Sequence, residues 1–189
     1  MRETMKSQTI LNFAEAVENL GPRVRQAYEL STEALARLAI PHIVVGGIAV
    51  CAYGHARSVN DVDYLVLTGD VFEGDVVRTL RPGVPFKVSG VAIDYCVERD
   101  TYPLEVRDAM RECVAEARER GDKSGIVPDW LLVWMKLCEG RHKDVADVEG
   151  LVRAGLDVAA VRANLPGPER VRELFERCVA AAEGETRGT

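Results

Sequence analysis

Asp61 and Asp63 stand two residues apart on the apolar-flanked run DVDYLVL. On a strand, side chains two apart share a face, and their Cα atoms lie roughly 6–7 Å apart. Two carboxylates held that way can share hard cations. Magnesium takes oxygen ligands, often only one or two carboxylates, with substrate phosphates and water completing its shell. Fourteen residues before Asp61, Gly46-Gly47 breaks the short β-branched run Ile43–Val45. A glycine pair lets backbone approach a ligand closely, and a helix over Ile48 to Tyr53, ended by Gly54, would offer unpaired N–H groups and a positive dipole end to phosphate. Arg57 and Ser58, in the loop ahead of the acids, can reach phosphate oxygens. Singly, a Gly-Gly after a strand reads as a turn and an Asp-x-Asp as a solvated face. In this order and spacing they suit a metal-bound nucleoside triphosphate.

A further acid, Asp94, sits inside the apolar run VAIDYCV, where Ala92, Asp94 and Cys96 share one face. An acid so placed is costly unless charged groups or a metal surround it. It is either an edge-strand acid facing solvent or a third carboxylate meeting Asp61 and Asp63 from a neighbouring strand. The segment KLCEGRHKDVADVEGLV is the other informative place. Lys143 and Asp147 are one helical turn apart, the spacing of a surface ion pair. Val145, Val148, Leu151 and Val152 give the buried stripe, Asp144 falls elsewhere around the helix, and Lys136 can snorkel out of an apolar helix.

The stretch GGIAVCAYGHARSVNDVDYLV resembles the signature of the DNA polymerase-β-like nucleotidyltransferase superfamily, Gly-Gly or Gly-Ser followed by Asp-x-Asp or Asp-x-Glu. Ile48 departs from it, where many members carry a hydroxyl or another small residue. K-L-x-x-G-R-x-K-D-x-x-D-x-x-x-L is similar to the helical motif of the abortive-infection (AbiEii-like) branch, and the two motifs span roughly residues 40 to 155. The resemblance implies an α+β nucleotidyltransferase fold, a mixed sheet with flanking helices and a C-terminal helical lobe. It implies Asp61, Asp63 and Asp94 as metal ligands for magnesium, two ions in all, and these acids with Lys136 and Asp147 as catalytic residues. Gly46, Gly47, Arg57, Ser58, Lys136 and Lys143 would bind the nucleoside triphosphate. The implied reaction moves a nucleoside monophosphate to an acceptor. The first acceptor to consider is RNA, such as a tRNA end, in a toxin paired with an antitoxin. A small molecule such as an antibiotic is the second, and a noncatalytic nucleotide-binding domain the third.

These residues need a scaffold. Apolar periodicity predicts helices over Thr9–Leu20 and Arg23–Leu38, the latter with a stripe of Val24, Tyr28, Leu30, Ala34 and Leu38. After the central stretch, a helix is expected over Val71–Leu80, with Val76, Val77 and Leu80 inward. Strands Val84–Val88 and Val91–Val97 flank Ser89-Gly90, good hairpin chemistry. Helices follow over Leu104–Arg118, Asp129–Cys138, Arg141–Leu151, Leu156–Leu165 and Pro168–Ala182, then a frayed tail. The divisions are packing helices 1–39, a core 40–103, a helical part 104–184 and a tail 185–189.

At 189 residues, 47% apolar and 29% charged, the chain suits one domain with a full core. No apolar run approaches a membrane span and MRETMKSQT is not a signal peptide, so a cytoplasmic location is expected. The five cysteines lack metal-site spacing and read as reduced, buried thiols. A net charge of −6 argues against broad nonspecific nucleic-acid binding. It leaves room for a small basic patch built from Arg78, Arg81, Lys87, Arg141, His142 and Lys143. Trp130, Trp134 and Tyr102 are the candidates for an apolar acceptor pocket.

Overall fold

The computed structural model describes residues 13–73, 79–120 and 125–186. A first helical segment, α1, covers residues 13–18, and α2 follows at Pro22–Arg37, its proline in the first turn where no N–H is missed. Next come strand β1 (Ile43–Val44), helix α3 (Gly46–Ala52), strand β2 (Asp61–Leu65) and the single turn α4 (Thr68–Val71). Short strands β3 (Phe72–Glu73), β4 (Thr79–Leu80) and β5 (Lys87–Val88) precede β6 (Val91–Cys96). The remainder is helical: α5 (Leu104–Arg120), α6 (Asp129–Glu139), α7 (His142–Arg153), α8 (Val158–Asn164) and α9 (Glu169–Thr186).

The main sheet runs β1-β2-β6-β5 and is mixed. β1 is antiparallel to β2, β2 parallel to β6, and β6 antiparallel to β5. Ser89 and Gly90 both take positive φ and close the β5–β6 turn as their chemistry requires. Strand alternation sorts side chains to two faces. Val62, Tyr64, Val91 and Ile93 pack with Val24, Ala27, Tyr28 and Leu35 of α2 in one core cluster. Leu65 and Ile43 pack on the other side with Met110, Val114, Leu131, Leu132, Leu137, Leu151 and Phe175 of the helical lobe. Asp61 and Asp63 alternate with Val62 and Tyr64, so they share the face of Leu65, the one turned to that lobe. The protein is a mixed α+β structure with its sheet between two helical layers. Among the described residues no helix is long and apolar enough to cross a membrane.

Several expectations need correction. At the described residues the Val71–Leu80 helix gives way to strands after α4: Phe72–Glu73 and Thr79–Leu80 are extended, with β3 antiparallel to β4 and Phe72 opposite Leu80. Aromatic, β-branched residues around a glycine favour that pairing over a helical turn. Val76 and Val77 lie outside the described residues, as do residues 9–12 of the first expected helix. Of the expected α2 stripe, Val24, Tyr28 and Ala34 are buried, joined by Ala27, Ser31 and Leu35, whereas Leu30 and, at the helix end, Leu38 are exposed. Ser31 and Thr32 turn inward because the buried Tyr64 hydroxyl needs partners, and each hydroxyl lies 2.8 Å from it. The tail expected to fray from residue 183 stays helical to Thr186. The cysteines are free, with Cys178 buried and the other four half-buried.

Candidate functional site

The site begins at the turn between β1 and α3. Helix α3 starts two residues earlier than its apolar pattern suggests, so Gly46 and Gly47 form its first turn. Gly46 has φ +62°, and a Cβ built there would collide with the Asp63 carboxylate. Only glycine allows both the left-handed backbone and that approach. A Cβ on Gly47 would stand 3.0 Å from the Arg57 guanidinium. The glycine pair is therefore where β2's acid and the following loop's arginine close in on the backbone.

Parallel pairing of β2 with β6 supplies the third acid. Asp63 is the Cα partner of Asp94, and Asp61 that of Ala92. One ligand oxygen from each of Asp61, Asp63 and Asp94 lies within 4.8 Å of the others. Burial, then Asp61 and Asp94, push the Asp63 carboxyl up to about 6, while Lys136 and the Gly47 N–H act in the opposite sense. Three mutually repelling carboxylate groups, one of them in a dry position, fit a hard divalent cation, whose charge relieves the repulsion.

These residues line a cleft of about 570 Å³ between the sheet and the helical lobe. Gly46, Gly47, Arg57 and the three aspartates form one side; Lys136, Glu139, Arg141, Lys143 and Asp144 come from α6 and the start of α7. Between them lie Cys96, Tyr102, Met110, Leu132 and Met135. Burial, Asp63 and Asp94 push the Cys96 thiol up to about 12, so it contributes bulk there, not a thiolate.

Lys136 is buried at the centre of an ion-pair network. Its Nζ lies 2.8 Å from Asp147 Oδ2 and 3.3 Å from Asp144 Oδ1. Asp147, 3% exposed, also holds Arg57: Nη2 donates to Oδ2 at 3.2 Å and Nε stands 2.7 Å from Oδ1 in ion-pair contact. Asp144, fully buried, accepts from Arg141 Nε at 2.6 Å and Nη2 at 3.3 Å. Burial pushes the Asp144 carboxyl up, but Arg141 and Lys136 outweigh it and hold it below the ordinary range. Gly140, left-handed at φ +64°, ends α6 and turns the chain so that α7 brings these carboxylates back onto Lys136.

Of the residues singled out from the sequence, the structure brings together Gly46, Gly47, Arg57, Asp61, Asp63, Asp94, Lys136 and Lys143 in one cleft. Two are placed otherwise. Ser58 is exposed on the far side of its loop, in a second depression beside α1, and only its carbonyl reaches Arg57. Asp147 does not line the cleft; it lies beneath, holding two cations. Its partner is not Lys143, which stays exposed at the cleft, because Lys136 and Arg57 meet it from other elements. Trp134 is buried core and Trp130 packs against it, whereas Tyr102 does line the cleft, its ring 4.9 Å from Trp134. Arg81 donates to the Asp70 carbonyl, Lys87 lies on the outer strand, and Arg78 is outside the described residues.

Asp144 is the residue the sequence reading missed. Its signals are the i, i+3 spacing from Arg141 and the first acid of the quoted helical motif; its burial depends on Lys136, eight positions back on another helix. No family model, curated protein or solved structure matches this chain.

Proposed function

We propose that the protein is a magnesium-dependent nucleotidyltransferase that moves a nucleoside monophosphate from a nucleoside triphosphate to an acceptor and releases pyrophosphate. The observation that carries the reading is the meeting of Asp61, Asp63 and Asp94 beside the Gly46-Gly47 turn, in a cleft whose opposite wall carries Lys136, Arg141 and Lys143. The two-motif resemblance to the polymerase-β-like superfamily supports it independently, as does the mixed sheet with parallel β2 and β6.

Asp61, Asp63 and Asp94 would hold one or two magnesium ions. When bound, the metal supplies charge neutralisation for the attacking and leaving oxygens of an in-line displacement. Asp94, the most exposed of the three, takes the proton from the acceptor hydroxyl as its oxygen bonds to the α-phosphorus and the bond to pyrophosphate breaks. The Gly46-Gly47 backbone comes close to the phosphates because no side chain intervenes. Lys136 faces the cleft and lowers the potential felt by the departing charge. Asp147 keeps Lys136 and Arg57 in place without touching substrate. Positioning and charge neutralisation account for most catalysis in such reactions.

RNA, such as a tRNA end, is the proposed acceptor, in a toxin with a cognate antitoxin. Lys143, exposed where α7 begins beside the cleft, supplies positive charge for this acceptor. A small-molecule acceptor such as an antibiotic is the second reading, favoured by the apolar strip of Tyr102, Met110, Leu132 and Met135. The test incubates the protein with labelled triphosphates, magnesium and either total RNA or an antibiotic panel. Labelled RNA supports the first acceptor and a labelled small molecule the second. Triphosphate binding with no transfer to either would leave a binding module and end the proposal.

A further inference from the structure

We infer that Arg141 is a polyphosphate-binding cation of the cleft and that buried Asp144 is the residue that positions it, together with Lys136. The ligand class, an inorganic or nucleoside polyphosphate, rests on the nucleotidyl-transfer reading.

The geometry separates this pair from an ordinary surface contact. An i, i+3 pair between exposed groups holds neither partner firmly and contributes little. Here Asp144 is 0% exposed, while the Arg141 side chain is 56% exposed and lines the same cleft as the three aspartates. One end of the contact is therefore fixed in the interior and the other is presented outward. Two guanidinium nitrogens, Nε and Nη2, engage the carboxylate, which fixes the plane of the fork. The remaining guanidinium N–H groups are left for a second anion, and a guanidinium matches phosphate oxygens in the same forked manner.

Charge balance favours an anion at this wall. Lys136, Arg141 and Lys143 contribute three positive charges to this wall against two from Glu139 and Asp144, leaving a net of one, while Arg57 and Asp147 balance each other. Across the cleft stand three carboxylates. A ligand carrying cations at one end and phosphates at the other satisfies both walls at once. Asp144 is central because it is shared: the same carboxylate receives Lys136 Nζ and the Arg141 fork, so both cations keep a fixed spacing. Arg141 is thus a binding residue, and Asp144 acts through it and through Lys136.

The test is titration calorimetry of inorganic tripolyphosphate with magnesium against the wild type, Arg141→Ala, Arg141→Lys, Asp144→Asn and the Arg141→Ala/Asp144→Asn double variant. Losing a charge-assisted contact should weaken binding by about tenfold or more in Arg141→Ala and in Asp144→Asn. Arg141→Lys, which keeps charge but not the fork, should fall between wild type and Arg141→Ala. The double variant should be no more than about threefold weaker than Arg141→Ala, since the two residues act as a unit. In the transfer assay, KM for the triphosphate should rise by more than kcat falls in both single variants, a split that a merely structural lesion would not give. Binding within twofold of wild type in Arg141→Ala overturns the assignment, as do fully additive losses or a wild type that binds no tripolyphosphate. If Asp144→Asn does not fold, the Arg141 variants still decide. Transfer with wild-type KM in Arg141→Ala would end this inference alone. Tripolyphosphate binding lost in the variants, with no transfer to any acceptor by the wild type, would end the transferase reading alone.

Discussion

The carboxylate of Asp63 occupies the space that a side chain at Gly46 would need. Two sequence motifs separated by a helix and a loop are thus one structural object, in which the turn is shaped around the acid. Gly46→Ala should therefore destabilise by about 1–3 kcal/mol through the left-handed backbone alone, and displace Asp63 as well. Gly69→Ala is the control, since its φ is not positive and nothing stands within 4 Å. Thermal unfolding should drop sharply for the first and barely move for the second.

Asp63 also makes stability depend on pH. Its folded value of about 6 lies above the ordinary 3.8, so between those values the folded state holds a proton that the unfolded chain has released. Metal-free stability then falls as pH rises from about 4 through 6, by about 3 kcal/mol in all, and stays low above. Asp61 and Asp94 enforce this and Lys136 opposes it. A bound divalent cation removes the penalty. The rise in melting temperature on adding magnesium should be larger at pH 7.5 than at pH 5, and Asp63→Asn should abolish both that difference and nucleotide transfer. An equal magnesium effect at the two pH values would contradict this account of the triad.

Asp147→Asn leaves Arg57 without its carboxylate and Lys136 with Asp144 alone. Breaking a buried pair by removing one partner is costly, here about 3 kcal/mol because one carboxylate remains. Lys143→Ala, at an exposed position, should change stability by less than about 0.5 kcal/mol. Denaturant unfolding of the two variants compares them directly. Similar small losses would mean that Asp147 is not holding the network.

Tyr64→Phe removes a hydroxyl that lies 2.8 Å from both Ser31 and Thr32 and donates to the Tyr28 carbonyl at 3.3 Å. Ser31 keeps its bond to the Ala27 carbonyl, but the buried Thr32 hydroxyl loses its contact with Tyr64, which should cost about 1–3 kcal/mol, seen as a lower melting temperature. This contact fastens α2 to the face of β2 opposite the aspartates, so metal binding should persist in the variant.

How much could be read from the chain depends on how local each determinant is. The strand–glycine–helix–strand segment and the Ser89-Gly90 hairpin follow from turn chemistry and period-two alternation, which act over a few residues. Alternation gives the face of Asp94 on its own strand but not its pairing with Asp63, which the parallel β2–β6 register sets. The partner of Asp147 does not follow from local pattern either. Spacing points to Lys143, but Lys136 on α6 and Arg57, ninety positions away, reach it in the fold. Asp144 was hidden for a similar reason, since one of its two partners, Lys136, lies on a different helix. Ser31 and Thr32 look like solvent-facing residues until Tyr64 is placed against them. The β3–β4 pairing was missed because Val76, Val77 and Leu80 mimic a helical period.

The ninety-residue separation of Arg57 and Asp147 sets an order of assembly. During synthesis the acid-bearing strands can pair as soon as β6 has emerged, whereas the counter-charges from α6 and α7 arrive some forty to fifty residues later. Until then the carboxylates of the nascent polypeptide lack the Lys136, Arg141 and Lys143 charges that face them in the finished cleft. A complete cleft is thus reserved for translation products that have passed α7.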